Sequence, residues 1–154
     1  MRPISVKIPR GVQNFIFFVL LLSLCSGVAF YIFSHWITID GDFGPEKHPL
    51  QYPMLQLHGA AAFLMMMIFG AMLAAHVPHS WKLKRSRGMG MTMITVMTFQ
   101  VLSAYILYYL AGEEARPWFV NMHAAVGLSI PFVLITHIVR GRKNRSKAAL
   151  RGSL

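Results

Sequence analysis

The chain has 154 residues, 55% of them hydrophobic and only 13% charged, with a mean hydropathy of +0.50. That leaves too little polar surface to coat a water-soluble globule, so lipid is the expected solvent for most of the chain. The formal net charge is +10, yet the bases stand in short runs between long uncharged stretches, which is the pattern of membrane topology and not of a nucleic-acid surface.

Four intervals, 11–39, 49–81, 88–112 and 117–139, carry no Asp, Glu, Lys or Arg. Each can hold the roughly 20 apolar residues that span a bilayer, which predicts helices at about 12–34, 54–76, 89–110 and 118–139. The intervals are continuously apolar and not alternating, so helices are expected and not strands of a barrel. Arg2, Lys7 and Arg10 precede the first interval, but its apolar run is longer than a signal-peptide core and no small-x-small cleavage site follows. It is expected to remain as a helix. Cys25 lies inside it; as the single cysteine it forms no intrachain disulfide and reads as a small packing residue. The expected fold class is all-α, an integral membrane four-helix bundle. Residues 1–140 form its transmembrane domain and 141–154 a polar, basic cytoplasmic tail, read as a flexible arm at the anionic leaflet.

Charge asymmetry orients the spans. Arg2, Lys7 and Arg10 lie before the first helix, Lys82, Lys84, Arg85 and Arg87 in the second loop, and six more bases between Arg140 and Arg151. By the positive-inside rule these are cytoplasmic, which puts both termini inside a bacterial inner (cytoplasmic) membrane in a multi-pass chain. The five acids, Asp40, Asp42, Glu46, Glu113 and Glu114, fall in the first and third loops with only Lys47 and Arg116 beside them. Those loops face outward. Trp36, Trp81 and Trp118 sit at the predicted helix ends, where indole rings anchor at the interface.

Four of the seven histidines fall in a pattern. His58 and His76 bracket the second predicted helix, His123 and His137 the fourth. A separation of 18 residues returns to the same face of an α-helix, and one of 14 misses it by about 40°, so each pair shares a side of its helix. The pairs are about 27 Å and 21 Å apart along the axes, close to the hydrocarbon thickness. Because the second and fourth helices run the same way, His58 would face His123 near the outer surface and His76 would face His137 near the inner one. One histidine near a helix end is ordinarily an interfacial side chain or a satisfied hydrogen-bond partner, but four ionisable residues in register within spans point to ligand duty.

Two imidazoles at each level, with no Cys or carboxylate nearby, do not complete a tetrahedral zinc site. They do complete a haem iron with one imidazole on each face, a ligation that leaves no open position and suits electron transfer. Two haem b groups are therefore expected, with His58, His123, His76 and His137 binding both cofactor and metal. Gly59–Ala62 and Ala124–Gly127 would let a flat ring approach, although small residues also serve close helix packing in lipid. Arg140, Arg142 and Lys143 near the inner pair, and Arg116 near the outer one, are candidates for neutralising propionates.

The segments Leu57-His58-Gly59 with His76, and Asn121-Met122-His123-Ala124-Ala125 with Ile135-Thr136-His137, set in a four-span chain, resemble those of the small di-haem membrane b-type cytochromes of the b561 kind. The resemblance covers roughly residues 12–140. It implies electron transfer across or within the membrane, with quinone or quinol as a partner. A quinone-linked oxidoreductase, or a cytochrome b subunit partnered by a dehydrogenase or electron-carrier subunit, would both fit. Superoxide as substrate is disfavoured because acidic outer loops repel an anion. From another class, a non-redox transporter or proton-conducting bundle would use histidine relays, but such sites gather at the bilayer midplane and these histidines lie near span ends.

The other histidines are rivals. His35 and His48 belong to the outer loop and His79 to a turn at Pro78; each is expected to face solvent or a quinone or partner surface, with His79 as the substitute for His76. Thr92, Thr95, Thr98 and Ser103 are assigned backbone bonding or bundle lining, and Met65–Met67 packing. No phosphate loop, CxxC pair or intramembrane carboxylate dyad is present, so hydrolytic and nucleotide chemistry have no visible carrier.

Overall fold

The structure is a computed structural model and describes residues 8–82 and 87–151. Four helices in it are long and apolar enough to cross a membrane, and they make the chain all-α as expected. They are α1 (Arg10–His35), α2 (Gln51–Lys82), α3 (Arg87–Tyr109) and α4 (Arg116–Arg151). Large apolar side chains such as Phe18, Leu21, Phe63, Leu102 and Phe132 lie exposed along them, as lipid-facing surfaces require. Arg2, Lys7, Lys84 and Arg85, which enter the orientation argument, lie outside the described residues. The chain divides into two compact units, Met1–Gly70 and Ala71–Leu154.

The first unit opens with α1. Its hydroxyls turn back on the helix: Ser26 Oγ donates to Leu22 O at 2.6 Å and Ser34 Oγ to Phe30 O at 2.7 Å. Such back-bonding hides polar groups that lipid cannot solvate. The loop that follows contains an antiparallel hairpin that the sequence reading lacked, β1 (Thr38–Gly41) and β2 (Gly44–Lys47), with Thr38 opposite Lys47 and Gly41 opposite Gly44. Its two-residue turn, Asp42-Phe43, is closed by Gly44 at φ +118°, a conformation that glycine alone adopts without strain. A Cβ on Gly41 would collide with the Glu46 side chain. α2 then starts at Gln51, three residues earlier than expected, with Pro53 in the first turn where a missing N–H costs little.

The second unit begins inside α2. Gln51–Ala71 and Val77–Lys82 are α-helical, and Met72–His76 between them is a π turn in which Val77 N–H reaches Met72 O. Pro78 supplies the cause: it has no N–H for Ala74 O, and its ring crowds that carbonyl in a regular helix. A widened turn upstream relieves the crowding and lets the helix run on to Lys82. His79 is accordingly a helix residue and not part of a turn at Pro78. The 100° step on which a shared face for His58 and His76 was counted does not carry across a π turn.

The Arg87 guanidinium lies 4.9 Å from the Trp81 ring centre and donates to Trp81 O at 2.9 Å, tying the start of α3 to the end of α2. At its other end, α3 stops where Leu110 N–H and Ala111 N–H share Ile106 O, at 2.9 and 2.7 Å. Arg116 donates to Ala111 O at 3.1 Å, so it serves the α3 terminus, where a positive charge meets unpaired carbonyls. α3 and α4 pack together around buried Ser103, Met97 and Ile130.

α4 contains 36 residues, about 54 Å of helix against a hydrocarbon core of about 30 Å. Its carboxyl-terminal part therefore has to leave the bilayer. The basic segment expected as a flexible arm is helical to Arg151, which corrects that expectation. The physical reason is composition: no proline follows Pro131, and Arg, Lys, Ala and Leu are strong helix formers.

Candidate functional site: the imidazoles of α2 and α4

In the first unit, His58 is anchored against α1. Its Nδ1 lies 2.8 Å from Ser23 O, and because a carbonyl only accepts, Nδ1 carries the hydrogen and donates it. Neutral His58 thus keeps Nε2 as a lone pair, the arrangement in which a histidine binds a metal. The ring reaches the α1 backbone because residue 27 is glycine. A Cβ there would lie 2.8 Å from both Cε1 and Nδ1 of His58.

In the second unit, His123 reaches the same tautomer with different partners. Ser103 Oγ donates to Gln100 O at 3.1 Å and lies 2.8 Å from His123 Nδ1, so the imidazole donates to the hydroxyl. Nε2 again has no hydrogen of its own. The Gln100 amide stands beside it, with Nε2 of Gln100 at 3.3 Å from His123 Nε2 and donating to His123 O at 3.1 Å. That amide occupies the notch left by Gly127, where a Cβ would lie 2.7 Å from Gln100 Nε2. Gly127, which the sequence offers as room for a flat ring, therefore houses a side chain.

His76 and His137 come together in the second unit as expected. Their ring centres are 6.4 Å apart and their planes cross at 69°. Ser80 Oγ lies 3.4 Å from His76 Nε2, one turn along the helix. His137 leaves Nδ1 buried without a hydrogen-bond partner, and His79 does the same with Nε2. A buried polar atom left unpaired costs on the order of 1–3 kcal/mol, so each marks a place where a partner is expected. Two imidazoles on opposite sides of one metal atom, bonded at about 2 Å, hold their ring centres about 6 Å apart, and the His76–His137 spacing fits that geometry.

His58 belongs to the first unit and the other three to the second, so the direct pairing described by the structure is His76 with His137. Among the described residues no three His, Cys, Asp or Glu side chains cluster. His35 and His48 have local duties. His35 Nδ1 bonds Tyr31 O at 2.9 Å, and its ring stacks on Tyr31. His48 stacks on Phe33 at 4.4 Å, with planes 6° apart, and accepts Leu50 N–H on Nδ1 at 3.2 Å. Acceptance at Nδ1 puts the hydrogen of neutral His48 on Nε2. A cleft of about 320 Å³ lies beside it, lined by Phe30, Lys47, His48, Pro49, Gln51, Tyr52 and Leu55.

The seats of the imidazoles were not found in the sequence. Ser23 and Gly27 stand four apart on one face of α1, and Gln100 and Ser103 three apart on one face of α3. Gln100 is also the one side-chain amide in the interval 88–112, an expensive group in lipid, and that cost was the available signal. Comparison with known proteins adds no identification: no family model, no curated protein and no solved structure matches this chain.

Proposed function

We propose that the protein is a membrane-bound di-haem b-type cytochrome that moves electrons across or within a bacterial inner membrane, with both termini in the cytoplasm. The ligands in this reading are His58, His123, His76 and His137, with His76 and His137 serving one haem. The observation that carries it is the facing of His76 and His137 at 6.4 Å on two apolar helices, with a buried His137 nitrogen that lacks a partner. The common tautomer of His58 and His123 supports it independently. Each gives Nδ1–H to a protein oxygen and keeps Nε2 as the ligand atom.

When bound, haem iron held by two imidazoles supplies one-electron transfer with no open coordination position. The residues of the chain do the rest. Ser23 and Ser103 fix the tautomers, Gly27 admits the His58 ring, and the apolar helix faces keep water from the site. Quinone or quinol is the proposed exchange partner. The cleft beside His48 has the size, the apolar walls and the Nε2–H and Lys47 donors to receive the oxygen of a lipid-soluble ring.

The test is an absorption spectrum of the purified protein, oxidised and then reduced. Sharp low-spin haem b bands and about two haems per chain are expected, extractable by acid acetone because no CxxCH attachment motif is present. Colourless protein from haem-replete cells would end this reading. Orientation has its own test: a reporter active only outside the cytoplasm should work when fused near Asp42 or Glu113 and fail after Arg87 or Arg145.

A further inference from the structure

Gln100 on α3 touches a proposed ligand atom on α4. Its Nε2 lies 3.3 Å from His123 Nε2 and donates to His123 O at 3.1 Å. A carbonyl only accepts, so His123 O fixes which end of the amide faces α4. Ser103 fixes the imidazole. Its hydroxyl donates to Gln100 O, so His123 gives its hydrogen from Nδ1 and presents a lone pair at Nε2. The two N–H bonds of one amide nitrogen thus meet two acceptors of one residue, the ring nitrogen and the backbone oxygen.

The seat is specific, and the amide is not fully satisfied in it. The amide nitrogen fits because residue 127 is glycine; a Cβ there would stand 2.7 Å from it. With the nitrogen turned to His123, Gln100 Oε1 is left buried without a hydrogen-bond partner. That unpaired acceptor opposes the seat, while the contacts to His123 favour it. A lone pair serves one partner at a time, so the amide and a metal exclude each other at His123 Nε2. The long side chain of glutamine can rotate aside without disturbing α3.

We propose that Gln100 is a displaceable cap on His123, whose amide holds the Nε2 lone pair within the span and yields it when His123 takes a metal. This inference rests on the di-haem reading above. It adds to that reading a residue that is not a ligand and that sets how fast and how tightly His123 becomes one. Gln100 is therefore a positioning residue. The exchange moves no proton, because the amide keeps both hydrogens and the imidazole keeps its own on Nδ1.

The experiment uses full-length protein stripped of haem, as wild type, as Gln100→Met, which keeps the length of the side chain and loses both donors, and as Gly127→Ala, which keeps the glutamine and crowds its amide out of the notch. Gln100→Leu takes the place of Gln100→Met should that variant lose its helical circular dichroism. Nitrogen NMR of isotope-labelled histidine reads the contact directly. The lone-pair nitrogen of His123, assigned by its loss in His123→Asn, should shift in both variants, while the Nδ1–H signal held by Ser103 stays in place. Haem titration, read at the binding step that His123→Asn removes, should show faster association and binding about 2–10-fold tighter in Gln100→Met than in wild type, the ratio for one net hydrogen bond removed from the competing side. An unmoved His123 nitrogen would overturn the cap. A moved nitrogen with unchanged rate and affinity for haem would overturn it too, since the contact would then not compete. Wild-type protein that binds no haem while the nitrogen signal moves would overturn the reading beneath the proposal and leave the contact itself standing.

Discussion

The imidazoles near the amino-terminal ends of α2 and α4 differ in kind from those toward the carboxyl-terminal ends. His58 and His123 each have Nδ1 tied at 2.8 Å to a protein oxygen, in a notch made by a glycine or beside a buried serine. His79 and His137 each bury a nitrogen with no partner, and His76 sits at the close of a π turn. One set is oriented before any ligand arrives. The other leaves two buried nitrogens, His79 Nε2 and His137 Nδ1, without a hydrogen-bond partner. A pre-oriented side chain loses little freedom on binding and holds one geometry, whereas one still to be ordered binds at a higher cost.

The largest effect that breaks this comparison is removal of a pre-oriented imidazole. In the di-haem reading, His58→Ala and His123→Ala should each lower haem below two per chain by pyridine haemochrome. If either variant kept two low-spin haems, that histidine would not be a ligand.

Next in size is loss of the group that sets a tautomer. Ser103→Ala removes the acceptor of His123 Nδ1–H and frees Nδ1 to compete as the lone pair. Haem should still bind, with affinity lowered about 10–100-fold, the usual cost of an outer-shell partner. Haem titration of the stripped protein measures it. Ser103→Thr keeps the hydroxyl and should restore most of the affinity. A Ser103→Ala protein that binds as tightly as the parent would show that the hydroxyl only packs.

These variants also separate what was legible in the sequence from what was not. The four spans and the all-α class follow from uncharged intervals, because the cost of a charge in lipid is large and local enough to read one residue at a time. The candidate histidines follow from the same cost. Their seats do not, since Ser23 against His58 and Ser103 against His123 join residues 35 and 20 positions apart. The α2 face count missed for a different reason. It assumed a uniform 100° step, while Pro78 was visible but its remedy, a π turn ending two residues upstream, is one of several ways a helix absorbs proline. The basic tail was read by charge alone, and charge says where a segment lies more than whether it is helical.

The smallest predicted effect comes from a matched pair of glycines. A Cβ at Gly27 would meet the His58 ring at 2.8 Å, and a Cβ at Gly127 would meet Gln100 at 2.7 Å, so distance alone predicts equal harm. The neighbours are not equal. The His58 ring is rigid, and its Nδ1 is held by Ser23 O, so moving it breaks a bond and displaces Nε2, the proposed ligand atom. Gln100 presents the far end of a flexible side chain, and a small rotation clears the new methyl. Gly27→Ala should therefore cost about 1–2 kcal/mol of overpacking and weaken haem retention with it. Gly127→Ala should leave haem content unchanged, because the displaced amide only moves away from a His123 nitrogen that a metal would claim. Thermal retention of the Soret band in the two variants reads both. Equal losses would mean that the Gly127 notch serves the haem itself, and that the first expectation for that glycine was the right one.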